Sequence, residues 1–301
     1  MAAVLTRPAE AAMVPAVRQE APLPFPNIDP IALAIGPFAI RWYALAYLFG
    51  VILGAGYGYL LLRNARLWAD GRPPFKAQDI WDFAFWAMLS IVIGGRLGYV
   101  LFYNLGYYLE NPAQIINTLD GGMSYHGGMV GLILAVAVFT RARGGNWLSG
   151  LDLIAAVGTI GLLLGRLANF INAELYGAPT DLPWGVIFPT DPLQVPRHPS
   201  QLYEAALEGL VLFLVIRFVT HIALGLRRPG LVAGIFGIGY SLARIAVEFV
   251  RLPDQQVGYL YGGWLTMGML LSLPMLLIGI GLVIYAATRR EPLLRRPEAL
   301  S

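Results

Sequence analysis

An arginine, two asparagines and a glutamate interrupt the chain where an apolar helix should still be in lipid. They lie in Gly165-Arg166-Leu167-Ala168-Asn169-Phe170-Ile171-Asn172-Ala173-Glu174-Leu175-Tyr176-Gly177. The preceding run, 151–164, has Asp152 at its start as its only ionisable residue. A charge at the bilayer centre costs about 2.5–3.5 kcal/mol on insertion scales, so such residues are kept for a partner or a purpose. On a continued helix Asn169 neighbours Arg166 at i+3, and Glu174 falls roughly 80° away, so all three can look into one cavity. The first reading is a polar, anion-accepting site inside a membrane bundle.

Other clusters carry the same kind of chemistry. Tyr240, Arg244 and Glu248, with Arg251 just beyond, form a polar stripe about 80° wide on an otherwise apolar helix. That stripe is either an i,i+4 ion pair joining two helices or part of a binding site. Ser124-Tyr125-His126-Gly127-Gly128 opens another apolar run. A membrane histidine is often a hydrogen-bonded packing residue, but two following glycines let a substrate come close to this imidazole. Such a group, with an ordinary pKa of about 6.5, suits proton abstraction from a thiol of about 8.5. Arg197-His198-Pro199-Ser200 leads into Gln201-Leu202-Tyr203-Glu204, where Glu204 and Glu208 sit one turn apart, as structural counter-charges for buried arginines. Arg96, after Gly94-Gly95, fits either an ion pair or a phosphate contact. Several arginines without enough carboxylates nearby suggest a phosphate, whose oxygens match the guanidinium fork. In a membrane the available phosphate is a phospholipid head group.

The elements that must position these residues are membrane helices. The 301 residues are 57% hydrophobic and only 13% charged, about half the charged share of soluble domains. There is no cysteine and there are three histidines, His126, His198 and His221. Disulfides and thiolate chemistry are thereby excluded, and a zinc site has no obvious ligands. Apolar runs of about 20 residues mark about seven spans, at 39–62, 80–103, 122–140, 151–175, 200–223, 230–250 and 261–286. One set of connecting segments holds Arg63, Arg66, Arg72, Lys76, Arg141, Arg143, Arg227, Arg228, Arg289, Arg290, Arg295 and Arg296. The other holds Arg7, Arg18, Arg41, Arg197 and Arg251. By the positive-inside rule the N-terminus is outside and the C-terminus cytoplasmic. At 1.5 Å per residue, Arg96, His126, Arg166 and Arg244 then lie within about 15 Å of the outer face. Arg217 and His221 fall near the cytoplasmic end and snorkel. The expected class is an all-α polytopic membrane protein. Its expected parts are a flexible N-terminal tail (1–30), with a short interfacial helix next to it near Ile31–Phe38, a seven-helix domain (31–288) and a cytoplasmic tail (289–301). The basic residues read as topology signals, not as a nucleic-acid patch.

Several stretches together resemble the prolipoprotein diacylglyceryl transferase family. They are Arg41-Trp42-Tyr43, Gly94 to Val100, Asp120 to Gly128, Gly165 to Gly177, Arg197 to Glu204 and Tyr240 through Asp254. The resemblance covers about residues 28–288, and Gly165–Gly177 is its most specific part. It implies transfer of a diacylglyceryl group from phosphatidylglycerol to the lipobox cysteine of a prolipoprotein, with a thioether formed and glycerol phosphate released, in the bacterial inner membrane and without metal or other cofactor. The family's essential histidine falls on His126 and its two key arginines on Arg166 and Arg244. Further cavity positions fall on Tyr43, Arg96, Asn169, Glu174, Gly177, Tyr240, Glu248 and Arg251. Arg41 stands in place of a histidine, and Ala168 and Ala173 in place of glycines. The competing reading of the same arginines is a transporter or flippase for an anionic phospholipid, against which stands the lack of a clear inverted repeat.

Overall fold

Long apolar runs leave the backbone no partner but itself in lipid, so they close into helices. The computed structural model describes residues 22–26, 28–118, 121–252 and 258–289. Its main helices are α1 (Trp42–Arg63), α2 (Ile80–Tyr103), the short α3 (Leu105–Glu110), α4 (Tyr125–Ala142) and α5 (Trp147–Ile171). Then come α6, described below, α7 (Leu231–Glu248) and α8 (Met267–Thr288). Among the described residues, six helices are long and apolar enough to cross a membrane: α1, α2, α4, α5, α7 and α8. The chain is therefore an all-α, multi-pass membrane protein.

The expected fifth span is α6, built from Ser200–Glu204, a wider π-helical stretch Ala205–Val211, and Leu212–His221. Its two buried glutamates and the change of helical pitch set it apart from the six long helices. π-helical turns of this kind recur at functional sites.

Small residues set the helix spacing, as expected where lipid supplies no hydrophobic drive between helices. A Cβ on Gly98 of α2 would stand 2.8 Å from the Gly127 Cα of α4. A Cβ on Gly209 of α6 would stand 2.7 Å from the Leu163 Cα of α5, one turn before Arg166. Helix α5 is the axis of the bundle. It touches α1, α4, α6 and α7, and 44% of its most apolar window is buried against 17% for α8. Asp152, the one acid in its apolar half, is fully buried and caps the start of α7. Its carboxylate accepts from Gly230 N at 2.7 Å and Ala233 N at 2.8 Å, which would otherwise be orphan donors.

Short strands gather at the end of the bundle that carries Arg166. Strands β2 (Ile31–Ile35) and β3 (Phe38–Arg41) form an antiparallel hairpin where the sequence suggested an interfacial helix. The two-residue turn explains the difference. Gly36 has φ +57° and is followed by Pro37 with its fixed φ, the pattern of a II′ hairpin turn. Strand β1 (Leu23–Pro24) pairs with β4 (Val186–Ile187), which pairs with β5 (Pro196–Arg197). Phe25 packs on Phe170 and Phe188. Leu23, Pro24 and Phe25, expected in a free tail, thus belong to the folded loop region, while 1–21, 27 and 290–301 lie outside the described residues. Strands β6 (Tyr259–Tyr261) and β7 (Leu265–Thr266) lead into α8.

Candidate active site

The Gly165–Gly177 stretch does not stay helical to its end. Helix α5 stops at Ile171, and Ala173 and Leu175 take left-handed φ values of +53° and +59°. That conformation normally favours glycine, and one of the two departures lies at Ala173. The reversal brings Glu174 back over the helix instead of onto the Arg166 face. Its Oε1 accepts from Asn169 Nδ2 at 2.8 Å and from Asn172 Nδ2 at 3.4 Å. Asn169 and Glu174 are thus paired with each other, and neither bonds Arg166 directly.

Main-chain bonds then lace this turn to two other helices. Ser200 Oγ donates to Leu175 O at 2.9 Å and Gln201 Nε2 to Glu174 O at 2.6 Å, both from the first turn of α6. Gly177 N donates to His198 O at 2.8 Å, and Ala178 N to Val250 O at 2.8 Å just past α7. A Cβ on Gly177 would lie 2.8 Å from the His198 Cβ and collide with the Val250 carbonyl, so only glycine fits the seam.

Three arginines and three glutamates meet behind this turn. Arg166 of α5 reaches Glu204 Oε2 and Glu208 Oε2, each at 3.2 Å. Arg244 of α7 contacts Glu204 Oε1 at 3.6 Å and is ion-paired with Glu248. Arg251 lies 2.7 Å from Glu204 and 3.8 Å from Glu248. Glu204 and Glu208 are fully buried, whereas the Arg166 and Arg244 side chains keep 18% and 15% of their surface. This corrects the expectation that carboxylates are scarce around the arginines: α6 supplies Glu204 and Glu208, and the cluster balances in charge. Their i,i+4 spacing in an apolar run was the visible signal. Their shared contact with Arg166, and that of Glu204 with Arg244, was not, because it crosses helices.

Two tyrosines join from other helices. Tyr240 of α7 stacks on Phe236 and lies beside Tyr125 of α4. Tyr43 of α1 is 3.0 Å from the Tyr47 hydroxyl and lies in the field of Glu174 and Arg166. Tyr125 went unnoticed as a site residue. It also connects His126 to the cluster, since the rings of Tyr125 and His126 meet edge to face at 5.6 Å. His126 occupies the first turn of α4, capped by Ser124, whose Oγ accepts from Gly127 N at 3.2 Å. Among the described residues its ring nitrogens have no hydrogen-bond partner, and no hydrogen bond joins it to Arg166 or Arg244.

Arg96 is the residue whose expected role changes. Its Nε donates to Ile115 O at 2.7 Å, Nη2 to Gln114 O at 2.7 Å, and Nη1 to Gly121 O and Gly122 O at 2.8 and 2.9 Å. Gly121 and Gly122 have φ of +83° and +78°, which turns two successive carbonyls onto one nitrogen. Buried at 7% exposure, Arg96 clamps the segment before Tyr125 and His126 and has little left for a phosphate.

Outside the spans, Arg197 grips Asp191 with a fork of 2.7 and 2.9 Å and lies over the Tyr176 ring. The guanidinium holds the Asp191 carboxyl below its ordinary range. His198 is pushed down by burial. A shallow apolar groove of about 380 Å³, lined by Leu182, Trp184, His198, Tyr203, Leu207, Ala246, Val247 and Val250, contains none of the expected site residues. Among the described residues no group of three His, Cys, Asp or Glu could hold a metal ion.

A family model described as prolipoprotein diacylglyceryl transferase matches residues 30–285. A phosphatidylglycerol–prolipoprotein diacylglyceryl transferase of Brucella anthropi is 54% identical over 259 residues, covering 86% of this chain and 92% of the relative. The proteins of that name from Brucella canis and Brucella suis are each 55% identical over the same coverage.

Proposed function

The chain belongs to the prolipoprotein diacylglyceryl transferase family, and from that premise we propose that it moves the diacylglyceryl group of phosphatidylglycerol onto the lipobox cysteine of a prolipoprotein signal peptide. The carrying observation is that Arg166 and Arg244, from separate helices, reach the two oxygens of the single buried carboxylate of Glu204. A phosphate offers the same pair of guanidiniums a bidentate partner of like charge.

In this reading Arg166 and Arg244 hold the phosphate and stabilise the charge that grows on the leaving oxygen. The thiol sulfur bonds to the glycerol carbon as that carbon's bond to the phosphate oxygen breaks, and glycerol phosphate leaves. His126 takes the thiol proton. Glu248 braces Arg244, Arg251 holds the carboxylates of Glu204 and Glu248, Tyr43 and Tyr240 line the cavity, and Asn169, Glu174 and Gly177 set the turn that closes it. Arg96 is left to the loop. Both substrates are confined to the membrane, so proximity lowers much of the barrier. The site faces the outer leaflet of the bacterial inner membrane, with the N-terminus outside and the catalytic domain spanning 31–288. The reaction needs no metal or other cofactor.

Mass spectrometry of a lipobox peptide incubated with the purified protein and phosphatidylglycerol tests this. The wild type is expected to give a peptide heavier by one diacylglyceryl group. His126→Ala and Arg166→Ala are each expected to lose at least 100-fold in rate while keeping their helical content. Full activity in both variants defeats the assignment. Movement of head groups across liposomes without a thioether product makes the protein a lipid transporter instead.

A further inference from the structure

The charge balance of the arginine cluster creates a difficulty for any anionic ligand. Arg166, Arg244 and Arg251 are already matched by Glu204, Glu208 and Glu248. A phosphate brought onto Arg166 adds a negative charge to a buried, neutral set and deprives one carboxylate of its partner. An ionised carboxylate stranded in such surroundings neutralises by taking a proton rather than bearing the desolvation cost.

The three glutamates are not equally exposed to that loss. Glu204 touches all three arginines, and Glu248 touches Arg244 and Arg251. Glu208 has Arg166 alone as its ion-pair partner among the described residues. It is fully buried, and its second oxygen, Oε1, has no hydrogen-bond partner there. The charged or titratable groups facing it are Arg166 from α5, Glu204 from its own helix, and Tyr240 and Arg244 from α7. It sits in the π-helical stretch of α6, beside Gly209, which holds that stretch against Leu163.

We propose that Glu208 takes up one proton when the lipid phosphate binds Arg166, so that the buried site exchanges a carboxylate charge for a phosphate charge. The inference rests on the head-group reading above. It also completes the proton count of the transfer. When the carbon–oxygen bond breaks, the glycerol phosphate gains a second negative charge and takes the Glu208 proton, leaving as a monoanion. Glu208, ionised again, returns to Arg166, and the thiol proton departs separately through His126.

Calorimetry of dimyristoyl phosphatidylglycerol binding to the detergent-solubilised protein, in buffers of different ionisation enthalpy at pH 7, counts the protons. The wild type is expected to take up close to one per lipid bound, with affinity falling by up to tenfold per pH unit as pH rises. Glu208→Gln is expected to take up none, to bind at least tenfold more tightly at pH 8, and to lose the pH slope. Buffer-independent heats in the wild type overturn the proposal without any variant, as does undiminished uptake in Glu208→Gln. Failure of the wild type to bind phosphatidylglycerol at all overturns instead the head-group reading beneath it.

Discussion

At Glu204 one carboxylate serves three guanidiniums, with Arg251 at 2.7 Å, Arg166 at 3.2 Å and Arg244 at 3.6 Å. Removing its charge leaves positive groups from α5 and α7 facing one another in a buried place, where an uncompensated charge is costly. Glu204→Gln is therefore expected to lower stability by about 3–5 kcal/mol. Denaturant unfolding in detergent, followed by circular dichroism, checks this, and a loss below about 1 kcal/mol would show that the cluster relaxes around the gap. The arginines were legible from sequence because a charge deep in an apolar run stands out. Arg96 stood out equally, but its acceptors are main-chain carbonyls of Gln114, Ile115, Gly121 and Gly122. Carbonyls leave no mark in a sequence, and only the paired glycines hinted at a special backbone.

The loop between α5 and α6 is held by a set of side-chain and main-chain bonds, and one group of them depends on pH. Asp191 accepts the Arg197 fork and also receives Leu193 N at 3.2 Å and Val195 N at 3.4 Å. These contacts fasten β5, from which His198 leads into α6. Because the folded carboxyl titrates below its ordinary value, its contribution is complete above the unfolded pKa of about 4. It is lost as pH falls through the lower, folded value. Limited proteolysis of the loop is expected to accelerate as the medium is taken from pH 5 towards pH 3. Asp191→Asn should show no such step, and should be cut several-fold faster at pH 7, since hydrogen bonds to charged groups are worth about 1.5–3 kcal/mol each. Equal cutting of both proteins at every pH would remove the strut from the account. Helical reach was well read from hydropathy, but the exit from α5 was not. Ala173 and Leu175 adopt left-handed φ without glycine, so nothing in their types announced that the helix ends at Ile171. The β2–β3 hairpin escaped for a related reason: its apolar residues suit an interfacial helix as well as a strand, and the Gly36-Pro37 turn decided between them.

Across the whole molecule, the polar residues divide the bundle into two unlike ends. Arg166, Glu204, Arg244 and the strand-rich loops share one end. Arg63, Arg66, Arg72, Arg141, Arg143 and Arg227 crowd the other, where Arg143 pairs with Asp79 at 3.0 Å and Arg227 donates to Arg66 O at 3.0 Å. The bias of basic residues towards that second end would place it in the cytoplasm, and the arginine cluster towards the outer leaflet. Since the chain contains no cysteine, single introduced thiols report sidedness without background. Leu193 is 68% exposed at the site end, and Arg72 is exposed at the basic end. A membrane-impermeant maleimide applied to intact spheroplasts is expected to label Leu193→Cys within minutes. Arg72→Cys should remain unlabelled until the membrane is opened. The reverse pattern would turn the molecule over and put the arginine cluster in the cytoplasmic leaflet. Labelling of both positions before permeabilisation would mean that one of the helices between them, α2, α4 or α5, does not cross the bilayer.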